Sequence, residues 1–423
     1  MALYGGYITL QYPPRVLIKS STHDISHIRV SFRSIFGTTK SPLARQTNRF
    51  YMVNPANRIS ADTAIIGGGL HGCSAALQLA ARGVSCIVLE KDHVGRHASG
   101  VNAGGVRILG RALPEIPIAM ASREIWLNIR DLVDDDCGFV PSAQVKVAET
   151  ASQLAELRYR SQQVRELGFA HEDIVDQETL RELLPAVSDH CIGGMVVYGD
   201  GHANPYRTIH AFKRKAEAFG VRFFEGVELT RIERSAEFWR LLTSRDQFEA
   251  PTLINCAGAW GGQIANLLGE SVPVEVKAPM LMITARMPPF VKPVVGAQGR
   301  VLSLKQFENG TVLIGGGHCG KANVQSNETQ LDTAGLTANA RTATSIFPII
   351  RKTTIVRCWA GIEGYMPDGI PVIGPSRHEN AFHCFGFSAH GFQLAPAVGS
   401  IIADLATTGA SKLPIEPFRV DRF

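Results

Sequence analysis

The chain has 423 residues, 45% of them hydrophobic, eight cysteines and a formal net charge of +5. This length can bury about three quarters of the unfolded surface and can hold two domains, while no run of 18 uninterrupted apolar residues marks a membrane span. The charge is local: residues 1–51 carry seven Lys or Arg against the single acid Asp24, a net of +6, so about −1 remains for the rest and nothing in the balance points to nucleic acid.

Residues 1–57 read as a basic extension. Its Ser and Arg content and lack of acids match an organelle transit peptide, and it has no apolar core for secretion. The alternative is that Met52 is the working start, because "MVNPANRIS" leads into the first strand at the spacing of a compact enzyme. Cys73, Cys86, Cys137, Cys191, Cys256, Cys319, Cys358 and Cys384 are scattered singly with no C-x-x-C pair. That pattern favours reduced thiols in a cytosol-like compartment and argues against a metal site.

The first regular unit is "DTAIIGGGLHGCSAALQLAARGVSCIVLE". A β-branched run at 63–66, a Gly-rich turn, a helix stopped by Gly83 and a second strand at 84–89 make a βαβ start, so a parallel sheet follows. Residues 114–134 and 152–168 carry helical spacing, and "NPYRTIHAFKRKAEAFG" is a helix stopped by Gly220. "VRFFEGVELTRIER" and "FWRLLTSRDQFEAPTLINCAG" read as strands returning to the first sheet. Between 273 and 317 the pattern becomes strands with turns, which predicts an antiparallel sheet. The fold class expected is α/β: a Rossmann-like cofactor domain (58–140, 197–270, 350–410) and an antiparallel-sheet α+β substrate domain (141–196, 271–349). The chain crosses between the two and ends in a tail, 411–423.

Gly67, Gly69 and Gly72 form G-x-G-x-x-G between strand and helix, the dinucleotide fingerprint. Gly67 permits the tight turn, Gly69 lets backbone approach a pyrophosphate, and Gly72 lets helix and strand pack closely. Exposed amides at the helix start, with Leu70 and His71 beside them, then hold phosphate. Glu90 ends the second strand, where it can accept ribose hydroxyls and would repel the extra phosphate of NADP. "KDHVGRHASGVNAGGVR" follows as a second Gly-rich loop, which suits a flavin better than NAD.

These segments, with "YGDGHANPYRTIHAF", "LINCAGAWGGQIA", "WAGIEGYMPDGIPVIG" and "GFSAHGFQLAPAVG", resemble the D-amino acid oxidase superfamily of FAD enzymes over roughly 60–410. The resemblance implies FAD surrounded at its ADP half by Gly67, Gly69, Gly72, Glu90 and Lys91. It places His97, Ser99, Gly104 and Gly105 along the ribityl chain and ring, and Val227 against adenine through its backbone. Ala257, Gly258 and Trp260 would close over the pyrophosphate, with Gly361, Gly391, Phe392 and Gln393 approaching the isoalloxazine. The flavin is expected to be non-covalent, since Cys358 beside Trp359 reads as core.

The reaction implied takes a hydride equivalent from the carbon beside an amine, and the resulting imine is hydrolysed. The amine must be neutral to react, which makes a nearby proton acceptor useful. His318 and His390 are the histidine candidates, each weighed against a buried histidine bonded to backbone; His171 and His378 read as solvated. Glycine oxidase-like members read W-A-G-L-R where this chain has "WAGIE", so Glu363 stands where an arginine would clamp the substrate carboxylate. Glu363 is expected to face a cationic part of the substrate or to pair with Arg107 or Arg357. The lysine that promotes oxygen reaction in sarcosine oxidases maps to Ile314, which favours a dehydrogenase passing electrons to a carrier or a second subunit. The competing classes are a flavin-binding assembly or repair factor without turnover and a nicotinamide-linked dehydrogenase.

Overall fold

In the computed structural model the described residues are 58–423, so the expectations about the amino-terminal extension lie outside them. Five parallel strands, in the order Ala381–Phe385, Thr252–Asn255, Thr63–Ile66, Cys86–Glu90 and Arg222–Glu225, form the first sheet, with Val372–Pro375 added antiparallel at one edge. Thr63–Ile66 is buried on both faces: Ile65 joins one core, and Ala64 and Ile66 join another. That double burial is why this strand reads as an unbroken apolar run rather than an alternation.

Helices Leu70–Ala80, Pro205–Ala218 and Gly391–Thr408 pack on the Ile65 side. Asn204 caps the second of these, its side chain accepting the Arg207 N–H at 3.0 Å, and Gly220 after it takes φ +88°. Leu70–Ala80 and Gly391–Thr408 cross closely through small residues. A Cβ on Gly399 would meet the Ser74 backbone at 2.7 Å, and Ser74 Oγ donates to the Ala395 carbonyl at 2.8 Å. Pro396 sits inside the longer helix, where its missing N–H leaves the Phe392 carbonyl free of an intrahelical partner.

A twelve-stranded sheet covers the carboxyl ends of the parallel strands. Its main path runs from Glu328–Gln330 through Cys319–Asn323, Glu275–Thr284, Val312–Gly315, Ser303–Gln306, Val294–Ala297, Val140–Ala148 and Gly193–His202 to Gly105–Val106. One face of it holds a second core, in which Val145, Val147, Leu304 and Ile314 meet Phe347. Ile355–Ala360 and Glu363–Tyr365, expected with the first sheet, instead hydrogen-bond antiparallel to Glu275–Thr284. Gly193–His202 likewise pairs with Val140–Ala148 over its whole length, so the expected boundary at 197 cuts through one strand.

Leu229–Arg234, Trp239–Thr243 and Gln247–Ala250 do not return to the first sheet. They form a separate four-stranded sheet with Arg58–Ser60. The carboxyl-terminal residues are not a loose tail: Phe418 is fully buried, and Arg422 pairs with Asp368 at 2.9 Å. Among the described residues no helix is long and apolar enough to cross a membrane, and all eight cysteines are free thiols.

The helix crossing yields a direct test. Gly399→Val forces side-chain carbon against Ser74 backbone, which cannot retract, and is expected to cost about 1–3 kcal/mol by overpacking. Thermal denaturation of the variant should show a lower midpoint; an unchanged midpoint would mean that the two helices slide apart without cost.

Candidate active site

A cavity of about 1010 Å³ runs between the two sheets, from Glu90, Lys91 and Val227 at one end, past Gly67, Gly69, Leu70 and His71, to Glu363, Arg107 and His390 at the other. His97, Ser99, Gly104, Gly105, Ala257, Gly258, Trp260, Gly361, Gly391 and Phe392 also line it. Three expected site residues do not. Gly72 is packed so closely on the Gly67 carbonyl that a Cβ would overlap it, which is the packing role assigned to it. Gln393 is fully buried, its Oε1 accepting from Arg111 at 2.8 Å and its Nε2 donating to the Ala119 carbonyl at 2.8 Å, so it braces the helix instead of meeting a ring. His318 lies in the connection between the strands Val312–Gly315 and Cys319–Asn323 with its Cβ toward Gly335, while Gly317 and Cys319 line the cavity.

The end near Glu90 suits an adenosine. The Glu90 carboxylate accepts the Gly68 N–H at 2.7 Å and the Asp92 N–H at 2.9 Å, and burial raises its pKa. Each of its oxygens keeps a lone pair for a ribose hydroxyl. Lys91 Nζ lies 3.3 Å from the centre of the Trp260 ring and donates to Asn327 at 2.6 Å, pinning the far hairpin over this end. Val227 donates its N–H to the Glu90 carbonyl at 2.9 Å, so only its carbonyl is left for adenine, a narrower role than expected.

The helix Leu70–Ala80 begins at Gly69 with no side-chain cap and no acid in its first turn, an arrangement that accommodates a phosphate. Ser99 Oγ accepts the Leu70 N–H at 2.9 Å and so ties the second Gly-rich loop to the first. His71 stacks on Phe387 with centroids 3.6 Å apart, and both its ring nitrogens are buried without a partner. Burial holds that imidazole near pKa 3, hence neutral. An elongated cavity with an uncapped helix start, orphaned polar atoms and a ribose acceptor at one end fits FAD.

The other end is organised by "WAGIEGYMPDGIPVIG". Trp359 Nε1 donates to the Val101 carbonyl at 2.8 Å, and a Cβ on Gly361 would lie 2.6 Å from Val101, so this strand is clasped to the second Gly-rich loop. Glu363 is half-buried against the cavity. It forms no ion pair with Arg107 or Arg357 among the described residues, contrary to one expectation; its carboxylate accepts the Ala389 N–H at 2.8 Å. Burial raises its pKa to about 7, partly offset by that hydrogen bond. Ser388 and Ala389 both hold positive φ, +49° and +66°, an unfavourable conformation for residues with a Cβ. The strain aims the Ala389 amide at the carboxylate.

His390 Nδ1 lies 3.4 Å from Glu115 Oε2, and Glu115 is fully buried. Burial is the largest influence on His390 and lowers its pKa despite the glutamate. Arg111 donates to the His390 carbonyl at 3.0 Å, fixing the start of the last helix. The "YGDGH" segment supplies Asp200, whose buried carboxylate accepts the Ile108 N–H at 2.9 Å and the Leu109 N–H at 3.1 Å and so sets the loop that presents Arg107. Glu115, Arg111 and Asp200 carried no sequence signal beyond their type, since their role depends on contacts 90 to 280 residues away.

Two further positions need correction. Ile314 lies in the second core, while Lys305 on the adjacent strand is 1% exposed and donates to the Ala103 carbonyl beside Gly104. A lysine therefore does reach this loop, and the residue at 314 no longer argues for a particular electron acceptor. His171, expected in solvent, is half-buried with both nitrogens unpartnered; His378 is exposed and bonds the Leu268 carbonyl at 2.6 Å. Cys358 packs against the second core and does not line the cavity.

Comparison with known proteins places these features. The family described as FAD dependent oxidoreductase (DAO) matches residues 62–405. Glycine oxidase of Geobacillus kaustophilus (strain HTA426) is 25% identical over 372 residues, covering 85% of this chain and 97% of the relative. An opine oxidase subunit of Rhizobium meliloti is 25% identical over 379 residues, covering 86% and 97%. Among solved structures, glycine oxidase from G. kaustophilus superposes with a TM-score of 0.80 at 23% identity, over 87% of this chain and 99% of that one. L-proline dehydrogenase from P. horikoshii gives 0.80 at 24%, over 86% and 98%. The chain belongs to the DAO family of FAD-dependent oxidoreductases, and FAD is the cofactor its cavity takes.

Proposed function

We propose that this chain oxidises the C–N bond of an amine or amino acid, CH–NH or CH–NH2, to an imine that water then hydrolyses. The observation that carries the reading is Glu363, a carboxylate lining the cavity and held by the Ala389 amide at 2.8 Å. An arginine here would clamp a substrate carboxylate; an acid here attracts the substrate ammonium instead. Once ionised, Glu363 takes the ammonium proton and leaves the neutral amine that can react. His390 lines the same wall, its Nδ1 3.4 Å from Glu115 Oε2, and burial lowers its pKa. Bound flavin supplies the two-electron acceptor.

The acceptor beyond flavin is a carrier or second subunit in this reading. Relatives named as subunits, one of an opine oxidase and one of a sarcosine oxidase, support it. The alternative is a flavin-binding assembly or repair factor with no turnover. Anaerobic addition of sarcosine-like amines, D-amino acids, cyclic imino acids and opines to the yellow holoprotein separates the two. At least one class should bleach the flavin, and a flavin left yellow by all of them would refute the enzyme reading.

Two outcomes follow for Glu363→Gln. In the parent protein, kcat/KM should rise with pH and level off above about 7, where Glu363 is ionised. The variant should lose that limb together with about 10²-fold in kcat/KM, and an unaltered profile would remove Glu363 from proton transfer. The stability effect has the opposite direction. The folded value is raised above the unfolded one, so the folded chain binds more protons, and stability falls as pH rises from about 4.3 to about 7. Thermal melts at pH 8 should therefore show the variant more stable than the parent, and at pH 4 the difference should vanish.

A further inference from the structure

The cations at the substrate end of the cavity are not equally balanced. Lys277 is paired with Glu275 at 2.9 Å and Arg300 with Glu149 at 2.6 Å. Arg107 and Lys146 form no ion pair among the described residues; Arg107 donates one N–H to the Leu109 carbonyl. Burial lowers the proton affinity of both, and the Arg107 charge lowers that of Lys146 further. Of the acids near Arg107, Asp200 is held by backbone amides and Glu172 by Arg160 at 2.9 Å and the Gly110 N–H at 2.7 Å, while buried Glu115, 3.4 Å from His390, adds negative charge without a direct pair to Arg107. Two neighbouring cations on a half-buried wall, neither in a direct ion pair, can receive an anion.

Gln144 stands two residues before Lys146, so the two side chains share one face of the strand Val140–Ala148, opposite Val145 and Val147 in the second core. Gln144 is 8% exposed and lines the cavity, and its Oε1 is buried with no partner. Rotation of the amide can present Nε2 to the same space. Along the sheet, Val140–Ala148 stands four strands from Glu275–Thr284, the strand against which Glu363 is paired, so Lys146 and Glu363 enter the cavity from well-separated strands. A carboxylate on a longer arm suits two groups so placed better than an α-carboxylate beside the reacting nitrogen.

Building on the amine-oxidation reading, we propose that Lys146, Gln144 and Arg107 form an anion subsite, so that the substrate is an amine bearing a carboxylate on an arm remote from the oxidised C–N bond. The ammonium lies at Glu363 and the remote carboxylate at Lys146, and the substrate's two charges read two separate points within the substrate end of the cavity.

The test compares 5-(methylamino)pentanoate with N-methylpentylamine on the holoenzyme, and measures glutarate binding by calorimetry. The carboxylate-bearing amine should have the lower KM. Lys146→Met should raise that KM at least tenfold with kcat within twofold, leave N-methylpentylamine unaffected and abolish glutarate binding, and Lys146→Arg should restore both. Gln144→Leu should weaken glutarate severalfold. If Lys146→Met leaves the discrimination and glutarate affinity unchanged, the subsite is refuted while amine oxidation stands. If neither amine bleaches the flavin, the substrate panel decides the oxidation reading, and glutarate still decides the subsite: binding lost in Lys146→Met supports it, and no binding by the parent overturns it.

Discussion

The glycine turn that joins the first strand to the first helix sets everything downstream. Gly67 holds φ +106° with the Cys256 carbonyl against the place where a Cβ would be, and Gly72 closes onto the Gly67 carbonyl. With no side chain between them, strand, turn and helix lock into one unit, and the helix starts at a fixed point and direction. From that point Ser99 binds the Leu70 amide, Glu90 binds the Gly68 amide, and the second Gly-rich loop is drawn alongside. The large sheet is then tied to this loop through Trp359 and Lys305. The cavity is the space that these attachments leave.

Within that space the protein separates charges by position. Most carboxylates and cations nearby are neutralised by one another or by amides: Asp200 by the loop it holds, Glu172 by Arg160, Arg111 by Gln393 and the His390 carbonyl. Glu363 receives one amide and no cation, which is costly for a desolvated carboxylate and keeps its proton exchange near neutrality. Keeping an acid in that condition requires the strained pair Ser388 and Ala389, a local expense that folding alone would not select.

How much of this was visible beforehand differs by residue. The fingerprint glycines, Glu90 and the helix boundaries were legible because each depends on neighbours within about 25 positions. Gln393 and His318 look like site residues on motif grounds, yet Gln393 is consumed by Arg111 and Ala119, and the connection between two strands sets the His318 side chain toward Gly335. Lys305 was invisible as a site residue because it reaches the loop from a strand 200 positions later. Gln144 and Lys146 sit in an ordinary amphipathic strand, and only the sheet order reveals that their polar face looks into a cavity rather than solvent.

By itself the sequence determined the dinucleotide turn and the α/β start, while the order of the expected flavin segments and the charge reversal at Glu363 came from its resemblance to a family. Local sterics and hydrogen bonding dictate the turn and the start, and a G-x-G-x-x-G between strand and helix has few other uses. The tertiary structure decided which sheet Ile355–Ala360 joins, which cations go unpaired and which expected residues are braces. Those depend on strand pairing between distant segments and on the competition of each polar group for one nearby partner. Periodicity cannot encode that competition, because burial and pairing are properties of the assembled fold.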